Sequence, residues 1–189
     1  MNSISIFQAD YKSVISVIER SILATDLAHH FKISSKIRAL AQSGPSAANL
    51  VSADSEDRRV LQASLMTGCD LAAVTKPWSV HKEVSQLVAE EFWEQGDIER
   101  EQFHEEPPPM MDRESSLALA QIDFIDHVAK DVYSNLAAFS QEMRPMYVTC
   151  LENKERWERV ERGEDVEDDE DEGSEDERPR SREAAARNL

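Results

Sequence analysis

The chain is poor in turn-forming residues. It has 5 glycines and 7 prolines among 189 residues, too few for the closely spaced turns of a many-stranded β domain. Cysteine is scarcer still. Cys69 and Cys150 supply no disulfide framework and read as reduced thiols of a cytosolic protein. No apolar run reaches the ~18 residues that a membrane span needs. The opening MNSISIFQAD lacks the basic region and long apolar stretch of a signal peptide. Basic residues are in deficit, 21 Lys and Arg against 38 Asp and Glu, for a net charge of −17. A phosphate backbone needs a basic footprint, so neither nucleic acid nor an anionic membrane surface is an expected partner. What these absences leave is an all-α, cytoplasmic protein large enough for one buried core.

Hydrophobic periodicity divides the chain into helices. Residues 11–32 carry Val14, Val17, Ile18, Ile22 and Leu27 at helical spacing, with Asp10 as N-cap. Residues 33–56, with Gly44-Pro45, read as a loop with room for a short helical piece. A helix over 54–75 follows, capped by Asp54 and stopped by Pro77. The next starts at Ser79, shows an apolar stripe of Val80, Val84, Leu87, Val88 and Phe92, and ends at Gly96 as a left-handed C′ residue. Pro107, Pro108 and Pro109 force an extended segment. A long helix over 116–143 shows a near-heptad stripe that includes Leu119, Ile122, Val132 and Phe139. A last helix begins around Pro145 and runs through Trp157 to Gly163. The bundle is thus expected to occupy residues 1–160. Residues 161–189, acidic and with almost nothing apolar to bury, read as a disordered tail.

Three polar side chains break the pattern. Asp70 sits in LMTGCDLAAVT, where a buried carboxylate costs several kcal/mol unless paired or on a metal. An ion pair with Lys76 or a histidine, or an exposed helix edge, would equally account for it, and no chelating partners stand at ligand spacing around it. Asp26, in SILATDLAHH, is the second, with His30 four residues on as a pairing partner. His29 and His30, being adjacent, diverge by about 100° on a helix and do not chelate one ion. Gln121 is the third. A primary amide offers donors and an acceptor, as a purine edge requires, and Phe124 at i+3 shares its face; an ordinary surface glutamine is the plainer alternative. Val88, Phe92 and Trp157 are most simply core residues. The chain has no Gly-rich phosphate loop and no GxSxG elbow.

Taken together, SILATDLAHH (21–30), LMTGCDLAAVTKPW (65–78), LVAEEFWEQGDIER (87–100), PMMDRE (109–114), AQIDFID (120–126) and NKERW (153–157) resemble the class I cyclic nucleotide phosphodiesterases, in the family's order and at close to its spacing. KPW and EFWEQGD are most similar to the branch that hydrolyses cGMP or both cyclic nucleotides. The resemblance covers residues 8–160 and implies the C-terminal half of an all-helical catalytic domain. It implies that Asp70 is a metal ligand, that Gln121 holds the purine, and that Phe124 and Val88 clamp the base. Phe92 and Val74 would line the pocket, Asp26 would lie near metal and pocket, and Trp157 would form the far wall. Ala73, where cAMP-specific members tend to carry asparagine, leans toward cGMP or dual specificity. The implied cofactors are divalent ions, Zn²⁺ with Mg²⁺ or Mn²⁺, and the implied substrate is a cyclic nucleotide.

The departures are as informative. The family's HNxxH string and later HD pair, which supply the general-acid histidine and further metal ligands, are missing from these 189 residues. A lone carboxylate does not fix a zinc ion or lower the pKa of a bound water. The expectation is therefore a phosphodiesterase fragment that is inactive alone. The competing expectation is a non-catalytic fragment that forms a homodimer or pairs with a full-length phosphodiesterase. An acidic-tailed binder of basic proteins explains the tail but none of the motifs.

Overall fold

The computed structural model describes residues 3–43, 56–104 and 106–167, with side chains from Asp10 onward. Among the described residues there are helices and turns and no strand. Asp54, the Gly44-Pro45 turn and the tail beyond residue 167 lie outside them.

The periodic stretch expected as one helix over 11–32 is two helices. α1 spans Ser3–Leu23 and α2 spans Leu27–Gln42. The break is at Asp26, whose backbone is extended and whose carboxylate accepts from the Ala28 N–H at 2.9 Å. A short polar side chain that can satisfy a free helix-start amide favours a new N-terminus over continuation. Asp26 is thus spent on capping rather than on His30. Asp10, expected as a cap, lies inside α1. Residues 33–42, expected as loop, continue α2, because Ile37 and Ala41 extend its buried face beyond His30.

α3, Glu56–Asp70, packs on α2 and buries Val60, Ser64, Thr67 and Gly68. It is followed not by more α-helix, as expected to residue 75, but by the tighter 3₁₀ turn Ala72–Thr75. α4 runs from Trp78 to Phe103 and so passes straight through Gly96. It ends instead at His104, which takes the left-handed conformation (φ 56°), before the prolines. The long fourth stretch is α5, Leu117–Phe124, a π-helical turn at Ile125–Ala129, and α6, Lys130–Phe139. Ser116 caps α5 through the Leu119 N–H. The stretch stops at Ser140, which is extended, short of the expected residue 143. α7, Arg144–Glu161, carries Pro145 in its first turn as expected. Beyond it Val166 packs against the core, so ordered packing reaches past residue 160.

The core lies where α5, the π turn and α6 meet α7 and the 3₁₀ turn. Trp78 and Trp157 meet edge to face, 4.9 Å between centroids. α3 and α6 approach closely at Gly68, where a Cβ would come 2.6 Å from the Leu136 Cδ1. The Tyr133 hydroxyl donates to the Gly68 carbonyl at 2.7 Å. Both cysteines are free thiols, Cys69 exposed and Cys150 buried. Burial pushes the Cys150 thiol up to about 12, leaving it protonated and unreactive at neutral pH.

Gly96 has a packing role in place of the expected helix stop. A Cβ there would collide with the Met111 carbonyl oxygen and come within 2.9 Å of the Met111 Cβ. The turn at Met111 therefore rests directly on the α4 backbone. Arg113 adds an exposed ion pair to Asp97 at 2.7 Å, a contact of the kind worth little by itself. An Ala in place of Gly inside a helix ordinarily gains about 0.5–1 kcal/mol. Here Gly96→Ala should lose about 1–3 kcal/mol, as overpacking does, read as a lower urea midpoint. A gain in stability would show that Met111 does not rest on this glycine.

Candidate functional site

The apolar stripe expected to bury α4 faces outward. Val80, Leu87, Val88 and Phe92 are all exposed, Val88 at 42% and Phe92 at 37%. The buried positions are Trp78, His81, Ser85, Ala89 and Gly96. The inner face is thus small and polar after the tryptophan, and it packs by hydrogen bonding.

These hydrogen bonds run in sequence. The Trp157 indole Nε1–H donates to His81 Nε2 at 2.9 Å. His81 Nδ1 lies 3.3 Å from Ser85 Oγ. Ser85 Oγ donates to Gln121 Oε1 at 3.2 Å. Gln121, half-buried on α5, is therefore joined to α4 and, through it, to α7. Phe124, one turn on, is half-buried against the core, and Val88 and Phe92 follow Ser85 along α4. Trp157 is buried with both Trp78 and His81 against its ring.

A second set of hydrogen bonds places the Asp70 end of α3. The Thr67 hydroxyl donates to the Ala24 carbonyl at 2.9 Å, which ties the α1–α2 joint, and with it Asp26, to the last turn of α3. The buried Asn153 amide donates to the carbonyls of Val74 (2.9 Å) and Lys76 (2.8 Å). Val74 itself is buried in the core. Asp70 is exposed, so the exposed helix edge weighed from the sequence is where it stands. Among the described residues no cluster of three or more His, Cys, Asp or Glu could hold a metal. The donors present do not make a metal centre, and no catalytic step is assigned to one.

Asn153, His81 and Ser85 had no role assigned from the sequence. The detectable signal was the polar spacing of His81 and Ser85, four residues apart and out of phase with the apolar stripe. A cleft of about 230 Å³ lies between α1, α2 and α3, lined by Val17, His29 and Val60 among others. It contains neither Gln121 nor Asp70.

Burial pulls the His81 pKa down to about 4, against a hydrogen bond to the Ala73 carbonyl that favours protonation. Burial lowers His30 as well. A histidine that titrates lower in the fold than in the unfolded chain takes up its proton preferentially on unfolding. Its contribution is fully present above about pH 6.5 and is lost as pH falls toward about 4. For His81 that loss is at most about 3 kcal/mol. His81→Gln should therefore flatten the pH dependence of unfolding free energy between pH 7 and 4.5, measured by urea melts. An unchanged slope would show that His81 is not buried and neutral in the fold.

No helix among the described residues is long and apolar enough to cross a membrane. The family profile for 3′5′-cyclic nucleotide phosphodiesterase matches residues 1–150. The chain is 38% identical over 167 residues to the cone cGMP-specific 3′,5′-cyclic phosphodiesterase subunit alpha′ of Gallus gallus, covering 82% of this chain and 19% of that protein. It is 35% identical over 167 residues to the rod cGMP-specific subunit alpha of Homo sapiens, with the same coverage. It is 38% identical over 160 residues to the cGMP-specific 3′,5′-cyclic phosphodiesterase of Drosophila melanogaster, covering 82% of this chain and 14% of that protein. The chain thus spans about a fifth or less of the length of these relatives. Its fold matches the solved structure of LmjPDEB1 in complex with IBMX, with a TM-score of 0.72 at 30% identity, over 82% of this chain and 45% of that one. The described residues are all-helical, as expected, and the chain belongs to the 3′5′-cyclic nucleotide phosphodiesterase family.

Proposed function

We propose that this chain supplies the base-recognition half of a cyclic nucleotide phosphodiesterase acting on cGMP, or on cGMP and cAMP. The observation that carries the proposal is Gln121, held by Ser85 beside a helix that exposes Val88 and Phe92. Exposed large apolar side chains flanking an oriented amide suit a flat, polar-edged ligand. In this reading Gln121 hydrogen-bonds the purine edge, and Phe124 and Val88 take its two faces. Phe92 and Val74 belong to the pocket lining, Trp157 closes its far wall and Asp26 lies near its metal side. The names of the cGMP-specific relatives support the choice of nucleotide.

For hydrolysis of a 3′-phosphoester, a divalent metal would supply activation of a water and a histidine would protonate the leaving oxygen. Asp70 is the residue of this chain proposed to contribute to the divalent metals, Zn²⁺ with Mg²⁺ or Mn²⁺. Since the described residues complete no metal site, hydrolysis requires groups supplied from elsewhere.

A second reading rests on α1, where Val14, Ile15, Val17, Ile18 and Ile22 are all exposed. An apolar surface of this kind favours association. The proposed partner is a full-length phosphodiesterase or a second copy of this chain, in a cytoplasmic setting. Co-purification with an intact phosphodiesterase supports it, and a strictly monomeric chain that ignores such an enzyme counts against it.

The purified chain should show negligible cGMP or cAMP turnover in Mg²⁺ and Zn²⁺, while still binding cGMP. Brisk turnover would overturn the missing-ligand argument. Gln121→Ala should weaken cGMP binding about tenfold, the worth of one or two net hydrogen bonds. An unchanged dissociation constant would remove Gln121 from the site.

A further inference from the structure

We infer that two copies of this chain associate by pairing their α1 helices antiparallel. The inference rests on the reading of α1 as an association surface and commits that surface to one occupant, a second copy.

α1 has two unlike faces. Its main contact with the rest of the described fold is with α3. The side turned that way is small and polar. Ser16 and Ser21 are half-buried. Ala24, just past the helix end, is buried, and its carbonyl receives the Thr67 hydroxyl. The large side chains are on the other side. Tyr11, Ile15, Ile18 and Ile22 are between 44% and 67% exposed. At 3.6 residues per turn, their stripe lies about 160° round the helix from Ser16, Ser21 and Ala24. Packing on α3 therefore leaves the apolar stripe outermost.

The spacing of the stripe identifies what covers it. Steps of four, three and four residues from Tyr11 to Ile22 make a heptad seam, the pattern by which one helix packs lengthwise on another. Lys12 and Glu19 stand one heptad apart along the same edge of that seam, each directly after a seam residue. Among the described residues neither joins an ion pair. A second α1 can be laid antiparallel about a two-fold axis between Ser16 and Val17. Tyr11 then meets Ile22 of the other copy, and Ile15 meets Ile18, each layer occurring twice. In the same register Lys12 of each copy falls beside Glu19 of the other, closing two pairs of opposite sign. A parallel pairing places these charges on opposite outer edges, where they do not meet.

The charge of the helix fits a second copy as well. Asp10, Lys12, Glu19 and Arg20 are its only charged residues and sum to zero, in a chain whose net charge is −17. Two acidic molecules approach with least repulsion at a neutral face. The contact is self-complementary, so it closes at two copies and does not propagate. One helix from each copy makes a small interface, and the expected dissociation constant is on the order of 10 μM.

The test is analytical ultracentrifugation of the full chain over a concentration series, with circular dichroism as the check on folding. A reversible monomer–dimer equilibrium is expected. Ile18→Asp puts a charge into both central layers and should raise the dissociation constant more than about a hundredfold, with helix content unchanged because the side chain is exposed. Lys12→Glu or Glu19→Lys alone should raise it about tenfold, by turning both attractive pairs repulsive. An equimolar mixture of these two single variants should dimerise like the parent, since each then meets its opposite. A dimer indifferent to Ile18→Asp, a mixture that does not recover, or an assembly larger than two overturns the antiparallel pairing. A chain that stays monomeric yet binds an intact cGMP phosphodiesterase overturns the self-pairing and leaves the association reading standing. A monomer that binds no such enzyme overturns both.

Discussion

The arrangement depends on one buried amide. Asn153, 1% exposed, spends both of its Nδ2 hydrogens on the carbonyls of Val74 and Lys76. Those carbonyls belong to a 3₁₀ turn and its exit, where the α-helical ladder has ended and cannot satisfy them. A buried carbonyl left without a donor costs about 1–3 kcal/mol. By closing that deficit Asn153 fixes the junction between α3 and α4 to the middle of α7. One turn further along α7 stands Trp157, which begins the chain of bonds through His81 and Ser85 to Gln121. The carboxylate at the end of α3 and the amide on α5 are thus referred to the same helix.

The inner face of α4 explains why the hydrogen bonds could be built at all. Small residues at Ser85, Ala89 and Gly96 let the neighbouring segments come close, to the point that the Met111 backbone fills the space over Gly96. The apolar side chains that would ordinarily drive the packing of a helix lie on the other face. Burying His81 costs desolvation, seen in its lowered pKa, and that cost is offset only while each polar atom in the relay is paired. The π turn at Ile125–Ala129 serves the neighbouring stretch in a comparable way. Its extra residue re-phases the buried stripe between α5, which carries Gln121 and Phe124, and α6, which carries Tyr133 and Leu136 into the core. Such turns are frequent at functional sites.

Much of this was legible in the residues. The helical class, the start of the stretch at Ser116 and Pro145 in the first turn of α7 follow from local chemistry. What was misread shares one cause: periodicity reports that an apolar stripe exists, but not which side of the helix the rest of the fold will cover. Val80, Leu87 and Phe92 made a convincing buried face that is exposed, and the polar residues opposite are buried. Gly96 was a convincing helix stop because its role, yielding room to Met111, is a contact across the fold. Asp26 was read beside His30 because i,i+4 pairing is the commoner outcome, and its use as a cap depended on where α1 ended. Asp70 and Gln121 stood out as polar groups on greasy helices. The residues that hold the surrounding turn and the amide, Asn153, His81 and Ser85, did not, because buried partners are visible only once the chain is folded.

The most direct measurement is a titration of the ¹⁵N-labelled chain with cGMP, following the backbone and side-chain amide shifts. If a purine docks on the face held by the Trp157–His81–Ser85 relay, the perturbations gather at the Gln121 side-chain amide, at residues 85–92 of α4 and at 121–124 of α5. Perturbations confined to the cleft between α1, α2 and α3, with the Gln121 amide unmoved, would contradict it.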